Sequence, residues 1–246
     1  MQSGMRFNNN YKEIIRLQNG SKICLRLINE NDKQHIITAF NNLSTESRYM
    51  RFLNSKKAIT QEDLRYFTEI DQYDHFALGA INLDANKNET GLAGITRIIR
   101  LVSDPECAEV GITVVDCAQR KGIGKNLIKR LARAATERGI KRLRFECLSE
   151  NRDVQRLIKK LNKQVTFIRE DNLLIAQVEI PAQTADTHQY PLDFIDNLSA
   201  LIRAFSSESF IKYTDLSLRI LSLSLKNTSK TSKQGDRKAT NPSHIN

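Results

Sequence analysis

Apolar residues recur along this chain with two periods, and the points where one gives way to the other predict its elements. Short apolar and alternating runs predict strands over residues 13–17 and 22–27, with Asn19-Gly20 between them as a hairpin signal. Helical spacing follows. Ile36, Ile37 and Phe40 form one stripe, with Asn31 or Asp32 as its cap, and Thr60-Gln-Glu-Asp63 opens a second helix as a capping sequence. Strand patterns return over 75–83, 91–101 and 108–115, joined by an Asn/Lys-rich turn near 86–89 and by Ser103-Asp104-Pro105, which predicts an antiparallel meander. Ile123, Leu127, Ile128, Leu131, Ala132 and Ala135 then mark a long amphipathic helix, with Lys129, Arg130 and Arg133 on its other face and Gly139 as its stop. A strand over 142–148, a helix over 151–161 and strands over 164–169 and 173–180 complete a mixed α/β pattern.

Beyond Pro181 the texture changes. Gln, Thr, Asp and His fill the stretch between Pro181 and Pro191, so the expected division is an N-terminal segment with the first strand (1–19), a principal domain (20–181), a helical C-terminal extension (182–225) and a disordered basic tail (226–246). Helices are expected over 192–205 and 210–225. Leu216, Ile220, Leu221 and Leu223 to Leu225 are too apolar to face water, so the extension is expected to dock on the domain, on a second copy or on a partner protein.

Composition narrows the chemistry. The 246 residues carry a net charge of +10. That excess sits on the long helix with the turn before it and on the tail, rather than on an aromatic-studded sheet, which argues against a dedicated nucleic-acid face. Cys24, Cys107, Cys117 and Cys147 form no CxxC pair and the four histidines form no ligand cluster, so neither a metal site nor a disulfide framework is expected. No apolar run approaches a membrane span and Met1 to Asn10 lacks a signal-peptide core, so the expected home is the reducing cytoplasm, with no membrane partner.

The chemistry-bearing stretch is Gln119-Arg120-Lys121-Gly122-Ile123-Gly124, where the strand ending at Val115 turns into the long helix. The first N–H groups of a helix lack intrahelical partners, and the helix dipole adds partial positive charge there. Glycines at 122 and 124 let an anion approach the backbone, and Arg120, Lys121 and Lys125 add formal charge. Three readings fit: a bland basic turn, a nucleotide turn, or a coenzyme A diphosphate cradle. The dinucleotide fingerprint lacks its third glycine, since position 127 is Leu, and the GxxxxGK[ST] loop is absent.

Further segments favour the third reading. Leu43-Ser-Thr-Glu-Ser-Arg-Tyr-Met-Arg-Phe52, Ile70-Asp71, Phe76-Ala-Leu78, Ala108-Glu109, the glycine turn and Glu150-Asn151-Arg152 follow one another in an order that resembles the GNAT N-acetyltransferases, specifically the branch of bacterial protein-lysine acetyltransferases. The resemblance spans roughly residues 20 to 180. It implies an acyl-CoA N-acyltransferase fold: a central mixed, largely antiparallel sheet with helices on both faces. It also implies acetyl-CoA as cosubstrate, without a metal, and a primary amine, on a protein lysine or a small molecule, as acceptor.

By the same resemblance, Glu109 is the general base, ten residues before Gln119 in sequence. The competing role is a structural pair with Arg97 or Arg100. Gln119, Arg120, Lys121, Gly122, Ile123, Gly124 and Lys125 would hold the diphosphate. Thr113, Val114 and Val115, on a strand expected to bulge and splay from the strand at 142–148, would pair with pantetheine and polarise the thioester. Asn151 would contact the cofactor or cap the next helix. The chain departs from the family at Ile158, where many members have the Tyr that protonates the leaving thiolate. That departure and the apolar extension keep a second class open, a non-catalytic acyl-CoA sensor.

Overall fold

The computed structural model describes residues 4–44, 58–148, 165–170, 173–181 and 190–206. Eight strands form one sheet: β1 (Lys12–Arg16), β2 (Lys22–Leu27), β3 (His75–Leu83), β4 (Glu89–Arg100), β5 (Cys107–Val114), β6 (Arg142–Leu148), β7 (Val165–Glu170) and β8 (Leu173–Glu179), in the spatial order β1-β2-β3-β4-β5-β6-β8-β7. Only β5 and β6 run parallel. The helix between those two is α3 (Ile123–Glu137), the crossover a parallel pair requires. The other described helices are α1 (Lys33–Asn41), α2 (Gln61–Thr68) and α4 (Leu192–Ser206).

Local chemistry sets the element ends. Gly20 turns the first hairpin with φ +85°. Thr60 and Asp63 exchange the two bonds of a capping box at the start of α2, at 3.1 and 2.7 Å. At the approach to α1 the expected caps are corrected. Asn29 caps a 3-10 turn over Glu30–Asp32, while Asp32 occupies the N-cap position of α1 without bonding its amides. The Asp32 carboxylate is taken instead by the Arg26 guanidinium, at 2.7 and 2.8 Å. Gly139, at φ +73°, ends α3 as predicted. Arg138 beside it is buried, donating to the carbonyls of Ala134, Gln72 and Phe7 and stacking 4.2 Å from the Phe76 ring centroid. Burial lowers its guanidinium to about 10.

Helices cover both faces. On one, α1 and α2 lie over Ile95 and Arg97 of β4 and Thr113 of β5. On the other, α3 is pressed against β4: a Cβ added to Gly94 would come within 3.3 Å of Ile123 and Leu127. Continuing that second layer, α4 contacts α3, β5 and β6 and buries Phe194, Ile195, Leu198 and Leu201 in the same apolar cluster as Phe7, Phe76 and Leu127. The Tyr190 and Thr136 hydroxyls meet at 2.7 Å. The N-terminal segment joins through Phe7, whose amide donates to Glu137 Oε2 at 3.0 Å. Among the described residues no helix is long and apolar enough to cross a membrane. The expected helices over 151–161 and 210–225 and the basic tail lie outside the described residues.

Candidate active site

Two features of the sheet meet at the end of β5. The first is a fork. β5 pairs with β4 in unbroken register from Ala108 to Val114, but with β6 only through Cys107–Arg142, Ala108–Leu143 and Glu109–Arg144. Beyond that rung β6 continues along β8 to Leu148, and that side of β5 has no strand partner among the described residues. The expected splay is there. The expected bulge in β5 is not, because both its ladders keep register; the irregularities lie instead between β3 and β4, beside Ala80 and Leu83.

Register also decides which amides reach the gap. Leu101 N–H donates to Cys107 O and Val115 N–H to Ala93 O. Main-chain bonds alternate along an antiparallel pair, so the odd-numbered residues of β5 turn theirs toward β4. Among Thr113, Val114 and Val115, only Val114 presents its N–H to the gap, and the second such group is Ile112. Sequence reading missed Ile112 because no side-chain pattern reports which way a strand's amides point.

The second feature is the turn into α3. Gly122 takes the N-cap position with φ +82° and ψ 2°, and Arg120 also lies in the left-handed region at φ +59°. The N–H groups from Arg120 to Lys125 have no acceptor among the described residues. A left-handed residue followed by a helical one turns successive amides inward as an anion nest, which Gly122 and Ile123 provide. The glycines differ in surroundings. A Cβ on Gly122 would project into open space with no atom within 4 Å, whereas one on Gly124 would meet Val114 at 3.9 Å. Gly122 is therefore favoured by its left-handed φ rather than by crowding, while the distance at Gly124 is ordinary van der Waals contact that an added methyl group would also make. Gln119 fastens the turn, its Nε2 donating to Val114 O at 3.2 Å and to Asp116 Oδ1 at 3.0 Å. Asp116 Oδ2 accepts the Ser44 amide at 2.7 Å and ties the turn to the end of α1. Lys121 is exposed, while Lys125 is held by Asp196 of α4, Nζ to Oδ1 at 2.7 Å. Open space and unmatched N–H groups at a helix start fit a diphosphate.

Glu109 stands on the last paired rung before the fork and is 7% exposed. It lies opposite Ile99 and two residues from Gly111, the partner of Arg97, so it shares the face covered by α1 and α2. Arg100 is committed elsewhere, to Asp74 and to the carbonyls of Pro105 and Arg138. Arg97 bonds His75 Nε2 at 2.8 Å and lies 4.8 Å from the Phe67 ring centroid. On this face a pocket partly open to solvent is lined by apolar groups of α1, α2, β4 and β5 together with Arg97 and Thr113. The Thr113 Oγ1 is buried there without a hydrogen bond.

Cys107 is buried, and burial pushes its thiol up to about 11, while Cys117 is exposed on the turn. The described residues hold no His/Cys/Asp/Glu cluster suited to a metal. Asn151 and Ile158 lie outside the described residues, as does the side chain of Glu146 on β6, the carboxylate that stands in reserve to Glu109 as base.

The profile of the acetyltransferase (GNAT) domain matches residues 22–163, more than half of the chain. The chain belongs to the GNAT acetyltransferase family. Acetyltransferase Pat of Mycolicibacterium smegmatis is 27% identical over 191 residues, which are 75% of this chain and 53% of that protein. The crystal structure of the GNAT domain of S. lividans PAT superposes with a TM-score of 0.58 at 23% identity, covering 70% of this chain and 99% of that one. A cAMP-binding acyltransferase from Mycobacterium smegmatis, 23% identical with a TM-score of 0.46, covers 78% of this chain and 54% of that one. The chain thus spans about half the length of the mycobacterial Pat protein.

Proposed function

We propose that this chain transfers an acetyl group from acetyl-CoA to a primary amine, with a protein lysine as the acceptor class. The observation that carries the reading is the alignment of a bare anion nest, a forked strand pair and a buried carboxylate at the fork. Acetyl-CoA supplies an activated thioester. The amides from Arg120 to Lys125 hold its diphosphate, with Lys121 adding charge, and the Val114 and Ile112 amides offer the strand-like pairing that an extended pantetheine needs.

Glu109 handles the proton. An amine of pKa ~10.4 is almost wholly protonated at pH 7, and freeing its lone pair costs about 4–5 kcal/mol, from ~3.4 pK units at ~1.36 kcal/mol each. A carboxylate that accepts this proton, directly or through water, contributes roughly 10²- to 10⁴-fold. Glu109 takes one proton from the ammonium, the freed nitrogen bonds to the acyl carbon, the carbon–sulfur bond breaks with its electron pair leaving on the coenzyme A sulfur, and the second nitrogen proton passes to that thiolate, directly or through water. Lysine as acceptor rests on the resemblance of the ordered sequence segments to the bacterial protein-lysine acetyltransferases.

Purified protein with acetyl-CoA and lysine peptides is expected to release free thiol. Glu109→Gln should lower that rate at least ~100-fold while coenzyme A still binds. Equal turnover by the variant removes Glu109 as base, and binding without turnover across peptides and small amines favours a sensor.

A further inference from the structure

The last described helix reaches a cation beside the anion site. Lys125, in the first turn of α3 among the unmatched amides, is drawn to Asp196 of α4 by a contact of 2.7 Å. Both side chains are well exposed, at 51% and 63%, so the pair adds little stability by itself. Its position matters more. Lys125 is one of the cations beside the unmatched amides, and Asp196 sets a carboxylate against it from a segment beyond the matched acetyltransferase domain. Its mount is rigid, because Phe194, Ile195 and Leu198 on either side of it are buried.

We infer that Asp196 is an internal competitor for the diphosphate: it neutralises Lys125 while the cradle is empty, and cofactor binding must draw Lys125 away from it. Two consequences follow. Cofactor affinity is held below what the cradle alone would provide, and the cofactor and the docked helix oppose one another, since coupling between two binding events is reciprocal. The inference rests on the coenzyme A reading of the cradle.

Calorimetric titration with coenzyme A tests it on the full chain, in the wild type, Asp196→Asn, Lys125→Met and the double variant. Asp196→Asn is expected to tighten binding by about two- to five-fold, the span of exposed charge pairs. The gain should shrink in the Lys125→Met background and with added salt, because screening weakens exposed charges. A purely structural role for Asp196 would move the melting temperature and leave that salt dependence untouched. Unchanged or weaker binding by Asp196→Asn, with the wild type binding normally, overturns the competitor and leaves the cradle standing. Absence of binding in every protein, wild type included, overturns the cradle and the competitor together.

Discussion

Arg120 occupies a left-handed backbone position, φ +59°, that an L side chain adopts at a cost of ~1–2 kcal/mol. Glycine would relieve that cost but adds ~0.5–1 kcal/mol of unfolded-state freedom. Arg120→Gly is therefore expected to raise stability by about 0.5–1 kcal/mol in urea unfolding while weakening coenzyme A binding, because a cation beside the nest is lost. Stability and affinity moving the same way would deny the turn its anion role. His75 makes a second prediction at this scale. Its ring lies 5.1 Å from that of Tyr66, centroid to centroid, and bonds Arg97; burial first, and the Arg97 charge second, hold its pKa far below the ordinary imidazole range. Below pH ~6.5 the unfolded chain takes up a proton that the folded chain refuses, so stability falls with pH by at most ~1.4 kcal/mol per unit. Glu13 and Glu89 are held low by hydrogen bonds from Arg130 and Arg26. Their contribution fades mainly below pH ~4.3, so among these three groups the interval from there to pH ~6.5 belongs to His75. Urea midpoints at pH 7 and pH 5 should converge in His75→Gln; an unaltered pH slope would show that the ring is protonated in the fold.

At the scale of elements, α4 is the helix whose place in the fold was least legible beforehand. Its apolar spacing announced a helix, but spacing along one segment carries no record of the surface it will meet. That surface is the flank of α3 and the β5–β6 face. Removing a fully buried aromatic side chain costs ~3–5 kcal/mol, so Phe194→Ala, at a position 1% exposed, should lower the unfolding free energy by about that amount. A loss below ~1 kcal/mol would mean that α4 is not seated there in solution. Elements whose logic is local were readable: α3 from its 3.6 period and Gly139, α2 from Thr60 and Asp63, the first hairpin from Asn19-Gly20. Non-local competition defeated the reading elsewhere. Asp32 looked like a cap until Arg26 claimed it from β2, and the amides of Thr113 to Val115 looked equivalent until the register with β4 gave only Val114 to the gap. The glycine turn with its unmatched amides lay within reach of sequence because it is one continuous segment, whereas the contact of Lys125 with Asp196 joins residues 71 apart.

For the molecule as a whole, the question is whether the ends belong to the same cooperative unit as the middle. Phe7 and Leu201 are both at 0% exposure and share one apolar cluster with the cores of β3, β5 and α3. Arg138 crosses that cluster, bonding Phe7 O at 2.8 Å and Gln72 O at 2.9 Å, so the N-terminal segment, the loop before β3 and the end of α3 converge on one guanidinium. A buried guanidinium that donates only to carbonyls costs several kcal/mol when its acceptors leave, since the charge would remain desolvated and unmatched. Neither terminal segment can detach without exposing this group or the apolar face under α4. A single heat-absorption transition is expected, with calorimetric and van't Hoff enthalpies equal, and circular dichroism and tyrosine fluorescence should share its midpoint. Arg138→Met should move the whole transition rather than split it, because its contacts tie three parts of one core. Two resolved transitions, or loss of α4 helicity ahead of the sheet, would show instead that the helix bearing Asp196 folds on its own terms.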